Sequence, residues 1–258
     1  MEKLKQCIAD SQCVLIGIGN EFKNDEIDKE LLEIYMQKKK KEETDSDWML
    51  SYMQSQGLNK EKSEKYLKAY QQIYELVKDK NYFVVTLNED DLIFQSPFDS
   101  QKITAPCGSY HRLQCSNGCE ESLMDAEEIT AQIVDKLKDQ TLSLSQIVPP
   151  ICKKCGQRLV LNVVEEENYM EQGYIESWKK YRMWLTGTLN KKICLLELGT
   201  DFKYPSIIRW AFEKVAFLNE KAVLFRINEK YPQLTEELKG KAYSYPQNAV
   251  DFFTAGNE

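Results

Sequence analysis

Four stretches of the chain are apolar almost without interruption: residues 13–20 (CVLIGIGN), 82–88 (YFVVTLN), 193–200 (ICLLELGT) and 222–228 (AVLFRIN). An unbroken apolar run that ends in glycine or asparagine predicts a strand buried on both faces, as in a parallel sheet. Elsewhere apolar residues recur at three- and four-residue steps, the period of a helix. Residues 3–9 read as a short amphipathic helix, 174–189 and 207–218 as longer ones, and Ala249, Val250, Phe252 and Phe253 suit a closing helix. Between the first two strands, Leu31, Ile34 and Tyr35, then Trp48, Met49, Tyr52 and Met53, then Tyr66, Tyr70, Ile73 and Val77 form further stripes, punctuated by Gly57 and Asn59. Such stripes are core faces. Strands alternating with helices predict an α/β fold, a Rossmann-like doubly wound parallel sheet, with a helical insertion after the first strand.

Chemistry collects at the strand ends. Gly17 and Gly19 mark a tight turn after the first strand, where such sheets bind phosphate, although a bare turn would carry the same glycines. Asn88, Glu89, Asp90 and Asp91 follow the second strand, either as ligand-facing groups or as a cap for a following helix. A separate signal lies between the second and third strands. Cys115 and Cys119 form a C-x3-C pair, Cys152 and Cys155 a C-x2-C pair, and glycines Gly118 and Gly156 stand beside them. Two knuckles that each deliver two thiolates suit a structural Zn2+ ion, held by four ligands with no open position. The zinc-ribbon module is thus expected within residues 107–165.

With 258 residues and a formal net charge of −7, the chain can bury a large core but offers no basic face for nucleic acid. No stretch approaches the ~18 apolar residues of a membrane span. Neither nucleic acid nor membrane is therefore an expected partner. Metal-spaced cysteines and a start that does not read as an export signal place the chain in a reducing, cytoplasmic setting without disulfides.

The order of these pieces resembles the sirtuin family. Gly17-Ile18-Gly19 is similar to the sirtuin Gly-Ala-Gly turn, and Thr86-Leu87-Asn88-Glu89-Asp90 to Thr-Gln-Asn-Ile-Asp. Gly199-Thr200 resembles the start of Gly-Thr-Ser, Ile227-Asn228 the Ile-Asn that ends the adenosine-side strand, and the cysteine pairs fall between them. Residues 81–86, 114–116, 161–163, 195–199 and 207–209 resemble one branch in particular, the class M sirtuins linked to bacterial macrodomains. The resemblance implies a single sirtuin-like unit over residues 1–258. Segments 1–22, 76–106 and 166–258 would form the NAD domain, 23–75 a helical module and 107–165 the zinc module.

By the same resemblance the protein is expected to be an NAD-dependent transferase, a protein ADP-ribosyltransferase rather than a lysine deacetylase. Asn88 would orient the ribose and nicotinamide end, Asp90 would contact the nicotinamide amide, and Gly17, Gly19, Gly199, Thr200 and Asn228 would hold phosphates and adenosine. NAD or ADP-ribose and an acceptor protein are the implied partners, with a lipoyl-carrier protein as the acceptor suggested by that branch. Sirtuin deacylases place a general-base histidine in a His-Gly-Ser motif; here Cys107-Gly108-Ser109 stands there. Cys107 is the candidate base, and His111 is the lone histidine four residues on. The serine of the glycine turn is replaced by Glu21, whose charge would stand close to two phosphates unless it turns away or Lys23 compensates. The Phe-Gly-Glu peptide clamp is absent as well, with Glu165-Glu166-Glu167 following Val164. These departures keep two alternatives open: a degenerate module that binds NAD or ADP-ribose without turnover, and a deacylase working through Cys107.

Overall fold

The computed structural model describes residues 1–42, 44–119 and 123–255. In chain order the elements are α1 (Glu2–Asp10), β1 (Cys13–Ile18), α2 (Lys29–Lys39), α3 (Trp48–Gln56), α4 (Lys60–Val77), β2 (Asn81–Thr86), β3 (Ile103–Thr104), β4 (Gly108–Cys115), β5 (Met124–Asp125) and α5 (Glu127–Lys138). There follow β6 (Leu159–Val163), α6 (Ile175–Thr186), β7 (Ile193–Leu198), α7 (Arg209–Leu218), β8 (Ala222–Ile227), β9 (Ala242–Tyr245) and α8 (Ala249–Thr254). Asp28, Asn59 and Asn248 cap α2, α4 and α8 by accepting from backbone N–H groups of the first turn, the usual task of Asx side chains there.

Six strands form one parallel sheet in the order β3-β2-β1-β7-β8-β9. The four apolar runs supply its four central strands, β2, β1, β7 and β8. Each is enclosed from above and below. On one face Val14, Ile16 and Ile18 meet Tyr70, Ile73 and Val77 of α4 together with α1 and α8. On the other, Cys13 and Leu15 meet Tyr181 of α6 and Phe212 of α7. Gly17 faces α7, and a Cβ there would press into Ile208 and the Phe212 ring, so its missing side chain lets the helix lie close on the sheet.

A smaller three-stranded sheet, order β5-β4-β6, is antiparallel. It shares a second core with α2, α3 and α5: Leu31, Tyr35, Met49, Tyr52, Met53, Leu113, Ile133, Val134, Leu137 and Leu161 are all buried there. Among the described residues no helix is long and apolar enough to cross a membrane.

The parallel sheet has charges at its centre. Glu197 of β7, fully buried, accepts from Arg226 of β8 at 2.9 and 2.7 Å and from Arg209 of α7 at 3.2 Å. Arg226 also reaches Glu213 at 2.8 Å, which balances two arginines with two glutamates. The arginines then donate onward to backbone carbonyls: Arg209 to Tyr231 at 3.0 Å and to Gln233, and Arg226 to Gln233. The Thr200 hydroxyl donates to the same Glu197 carboxylate. Removing one partner of such a network strands the other charges away from water, which costs roughly 3–5 kcal/mol. Glu197→Gln is therefore expected to lower unfolding stability by about 3 kcal/mol or more in urea titrations. A loss under about 1 kcal/mol, the scale of a surface pair, would contradict the network's role.

Candidate functional site

The strand order reverses direction between β1 and β7, and open parallel sheets bind ligands in the crevice outside the carboxyl ends of the strands at such a point. Register brings those ends level: Ile18 lies opposite Thr86 and Leu198, and Leu198 opposite Ile227. One more hydrogen bond per strand carries the alignment into the turns. Leu87 N–H donates to Ile18 at 2.9 Å, Gly19 N–H to Leu198 at 2.8 Å and Gly199 N–H to Ile227 at 2.8 Å. The turns after β1 and β7 touch. A Cβ on Gly19 would collide with the Gly199 carbonyl and the Thr200 backbone, so glycine is required by this contact.

At the β2 end the site is polar and buried. Asn88 is 3% exposed, and neither its amide nitrogen nor its amide oxygen has a hydrogen-bond partner among the described residues. The fully buried Tyr70 hydroxyl lies close to Asn88 and Asp90 without a well-formed hydrogen bond to either. Buried amides normally bond, so two orphaned atoms on one side chain mark a place built for something else to fill. Asp90 accepts from Asn24 N–H at 2.6 Å and from Leu92 N–H at 3.0 Å. Burial nevertheless dominates and pushes its carboxyl up to about 7, with Asp91 and Glu89 adding to the rise.

Glu89 forms an ion pair with Lys23 at 2.7 Å, and burial raises the Glu89 carboxyl against the pull of that lysine. Burial works to lower the Lys23 ammonium, but Glu89 outweighs it and the lysine is held firmly protonated. Cys107 is fully buried next to this pair. Its thiol is pushed far up, first by burial and then by the carboxylates of Glu89 and Glu165. A thiol in that state is neutral, so it is neither a strong base nor a ready nucleophile. Across the cleft, Lys203 pairs with Glu165 and joins the loop after β7 to the loop after β6. His111 extends its backbone N–H to Ser109 at 3.0 Å and lines a separate surface cavity with Asp91 and Arg112, away from Cys107.

The side chains at the β7 and β8 ends are occupied internally. Thr200 donates to Glu197, while Asn228 donates to the Thr200 carbonyl at 2.6 Å and accepts from Lys230 and Tyr231 N–H at 3.1 and 2.7 Å. What this end offers a ligand is backbone, plus the unexpected carboxylate of Glu21, which crosses to the β8 side. Sequence reasoning flagged Glu21 as a misfit but gave no means of locating its partners.

The four cysteines come together. The sulfurs of Cys115, Cys119, Cys152 and Cys155 all lie within 4.8 Å of one another, with Cys115 and Cys155 at 3.4 Å. A tetrahedral Zn–S₄ site with ~2.3 Å bonds needs sulfurs spaced on the order of 3.8 Å, so this cluster can hold one metal ion with all four positions filled by protein.

No family model matches the chain. It is 26% identical over 147 residues to a probable bifunctional ADP-ribose hydrolase/ADP-ribosyltransferase of Fusarium oxysporum f. sp. cubense, covering 55% of this chain and 24% of that protein. It is 23% identical over 188 residues to a protein ADP-ribosyltransferase of Staphylococcus aureus, covering 72% of this chain and 59% of that one. The chain thus spans about a quarter and about three-fifths of these curated relatives. Among solved structures, a Sir2 homolog–NAD complex superposes with a TM-score of 0.54 at 18% identity, over 99% of this chain and 91% of that one. The chain has the fold of the Sir2 sirtuins.

Proposed function

We propose that this protein is a sirtuin-like, NAD-dependent ADP-ribosyltransferase acting on a protein side chain. The observation that carries the reading is Asn88: a residue 3% exposed, both amide atoms unmet, just beyond the carboxyl end of β2, where parallel sheets hold nucleotides. The names of the curated relatives support the same reaction class.

NAD, when bound, supplies a ribosyl carbon that carries nicotinamide as a leaving group. The chain's part is to bind, orient and exclude water. Asn88 can accept from a hydroxyl and donate to an oxygen at once, which fixes a ribose without committing charge. Asp90, with a carboxyl held near 7, can present a proton or a lone pair to an amide. Cys107 contributes a neutral wall. The ionised groups beside it are Glu89 and Lys23, whose pairing keeps a fixed dipole in a water-poor place, where it acts more strongly than in solvent. The four cysteines are assigned a structural Zn2+ that holds β4 and β6 together. A lipoyl-carrier acceptor rests on the family resemblance alone.

Two measurements follow from this assignment. Nicotinamide release from NAD should fall by about tenfold or more in Asn88→Ala, and by less than about threefold in Cys107→Ala, because a neutral buried thiol carries no proton-transfer step. Unchanged release in Asn88→Ala, or abolished release in a folded Cys107→Ala, would overturn these roles. Metal analysis should find one zinc per chain, and Cys152→Ser should lose it together with several kcal/mol of stability, the order expected of structural zinc. A metal-free chain that melts like the purified protein would contradict the structural assignment.

A further inference from the structure

The far end of the crevice already contains a carboxylate. Glu21 sits in the turn after β1, and its side chain crosses the ends of β7 and β8. One oxygen accepts from Glu229 N–H at 2.9 Å, the other from Ala249 N–H at 2.6 Å. Its own N–H donates to the Gly199 carbonyl at 3.2 Å. Gly199 has φ +60°, and a Cβ there would collide with the Glu21 side chain, so the turn after β7 is shaped around this residue.

Glu229 lies two residues beyond β8, and Ala249 is the first residue of α8. Both N–H groups point at Glu21, on the opposite side of the switch point from Asn88. Backbone donors converging at strand ends are the usual anchors for the polar and anionic atoms of a nucleotide. Here they are satisfied from within. Burial raises the Glu21 carboxyl and its two N–H donors and Lys230 work against that rise, so the charge it carries here also opposes a diphosphate. The two ends of the site are thus unlike: Asn88 has hydrogen bonds to give, whereas the Glu229 and Ala249 N–H groups are already taken by Glu21.

We propose that Glu21 is an intramolecular occupant of the adenosine-diphosphate end of the site, and that it must leave Glu229 and Ala249 before a nucleoside diphosphate seats there. This deepens the NAD reading given above and rests on it. The residue that replaces the serine of the glycine turn becomes a latch whose strength sets nucleotide affinity. Opening it forfeits two charge-assisted hydrogen bonds, so the closed crevice is favoured until ligand contacts at both ends outweigh them.

The test is calorimetric titration of the full chain with ADP-ribose, which lacks nicotinamide and so reports binding without turnover. Wild type is compared with Glu21→Ser, which removes the carboxylate, and Glu21→Gln, which keeps the shape and one acceptor oxygen. Glu21→Ser should bind at least tenfold more tightly than wild type, with Glu21→Gln in between. Equal or weaker binding by both variants would overturn the latch; if nicotinamide release from NAD persists in wild type, the transferase reading stands without it. Tighter binding by Glu21→Ser with no nicotinamide release in any form supports the latch and removes the transferase reading. No binding by all three at millimolar ADP-ribose overturns both. Should Glu21→Ser fail to fold, the near-isosteric Glu21→Gln carries the comparison alone.

Discussion

The β7 and β8 side of the sheet's open end is hung from one buried carboxylate. Glu197 sits at the centre of the parallel sheet, bound by Arg209 and Arg226 and by the Thr200 hydroxyl. Through Thr200 it fixes the turn after β7. Through the arginines it fixes the carbonyls of Tyr231 and Gln233, and with them the loop after β8. Apolar residues in its place could fill the same volume, and buried ion networks are rarely the most stabilising choice. What the network supplies is direction: charge-assisted hydrogen bonds set the loop backbones to within narrow geometry, and those backbones form half of the proposed nucleotide site.

The crevice so built has two unlike halves. On the β2 side, Asn88 and Tyr70 are buried with unmet polar atoms, a configuration that costs free energy unless a ligand completes it. On the β8 side the backbone donors are already completed by Glu21. Between them lies the place where a base would be expected, and it contains a neutral thiol at Cys107 with an ion pair, Glu89 and Lys23, alongside. On the proposed reading, the first end would take a ribose and the second would resist a diphosphate. The fold is that of the sirtuins; the electrostatics are this chain's own.

The central strands were legible because burial on both faces leaves an uninterrupted apolar run, which no surface element produces. Edge elements were not. β9 reads Ala-Tyr-Ser-Tyr and is half-buried throughout, so it carries neither a run nor a clear alternation. Helix α5 repeats Thr130, Ile133, Val134 and Leu137 at helical spacing and could be read, but its stretch is dominated by the cysteine signal. Charges inside apolar runs, Glu197 in LLEL and Arg226 in FRIN, announce buried partners without saying which. Gly17 looks like a phosphate-turn glycine by position, yet its neighbours are Ile208 and Phe212 from a helix that begins nearly two hundred residues later. Glu21 shows the same limit most sharply. That it stood where a serine would be was visible, but its acceptor contacts lie 208 and 228 residues away and depend on how three loops meet. The metal cluster was the most legible feature, because two knuckles need only local turns and one mutual approach.

We place the nucleotide site at the level ends of β2, β1, β7 and β8. Backbone amide chemical shifts recorded during an ADP-ribose titration test it most directly, since they register weak binding residue by residue. Perturbations are expected at Gly19, Glu21, Asn88, Gly199, Glu229 and Ala249, with the knuckles at Cys115 and Cys152 left unmoved. Shifts confined to the zinc module or to the outer surface of α4 and α8, with the strand ends silent at millimolar ligand, would contradict it.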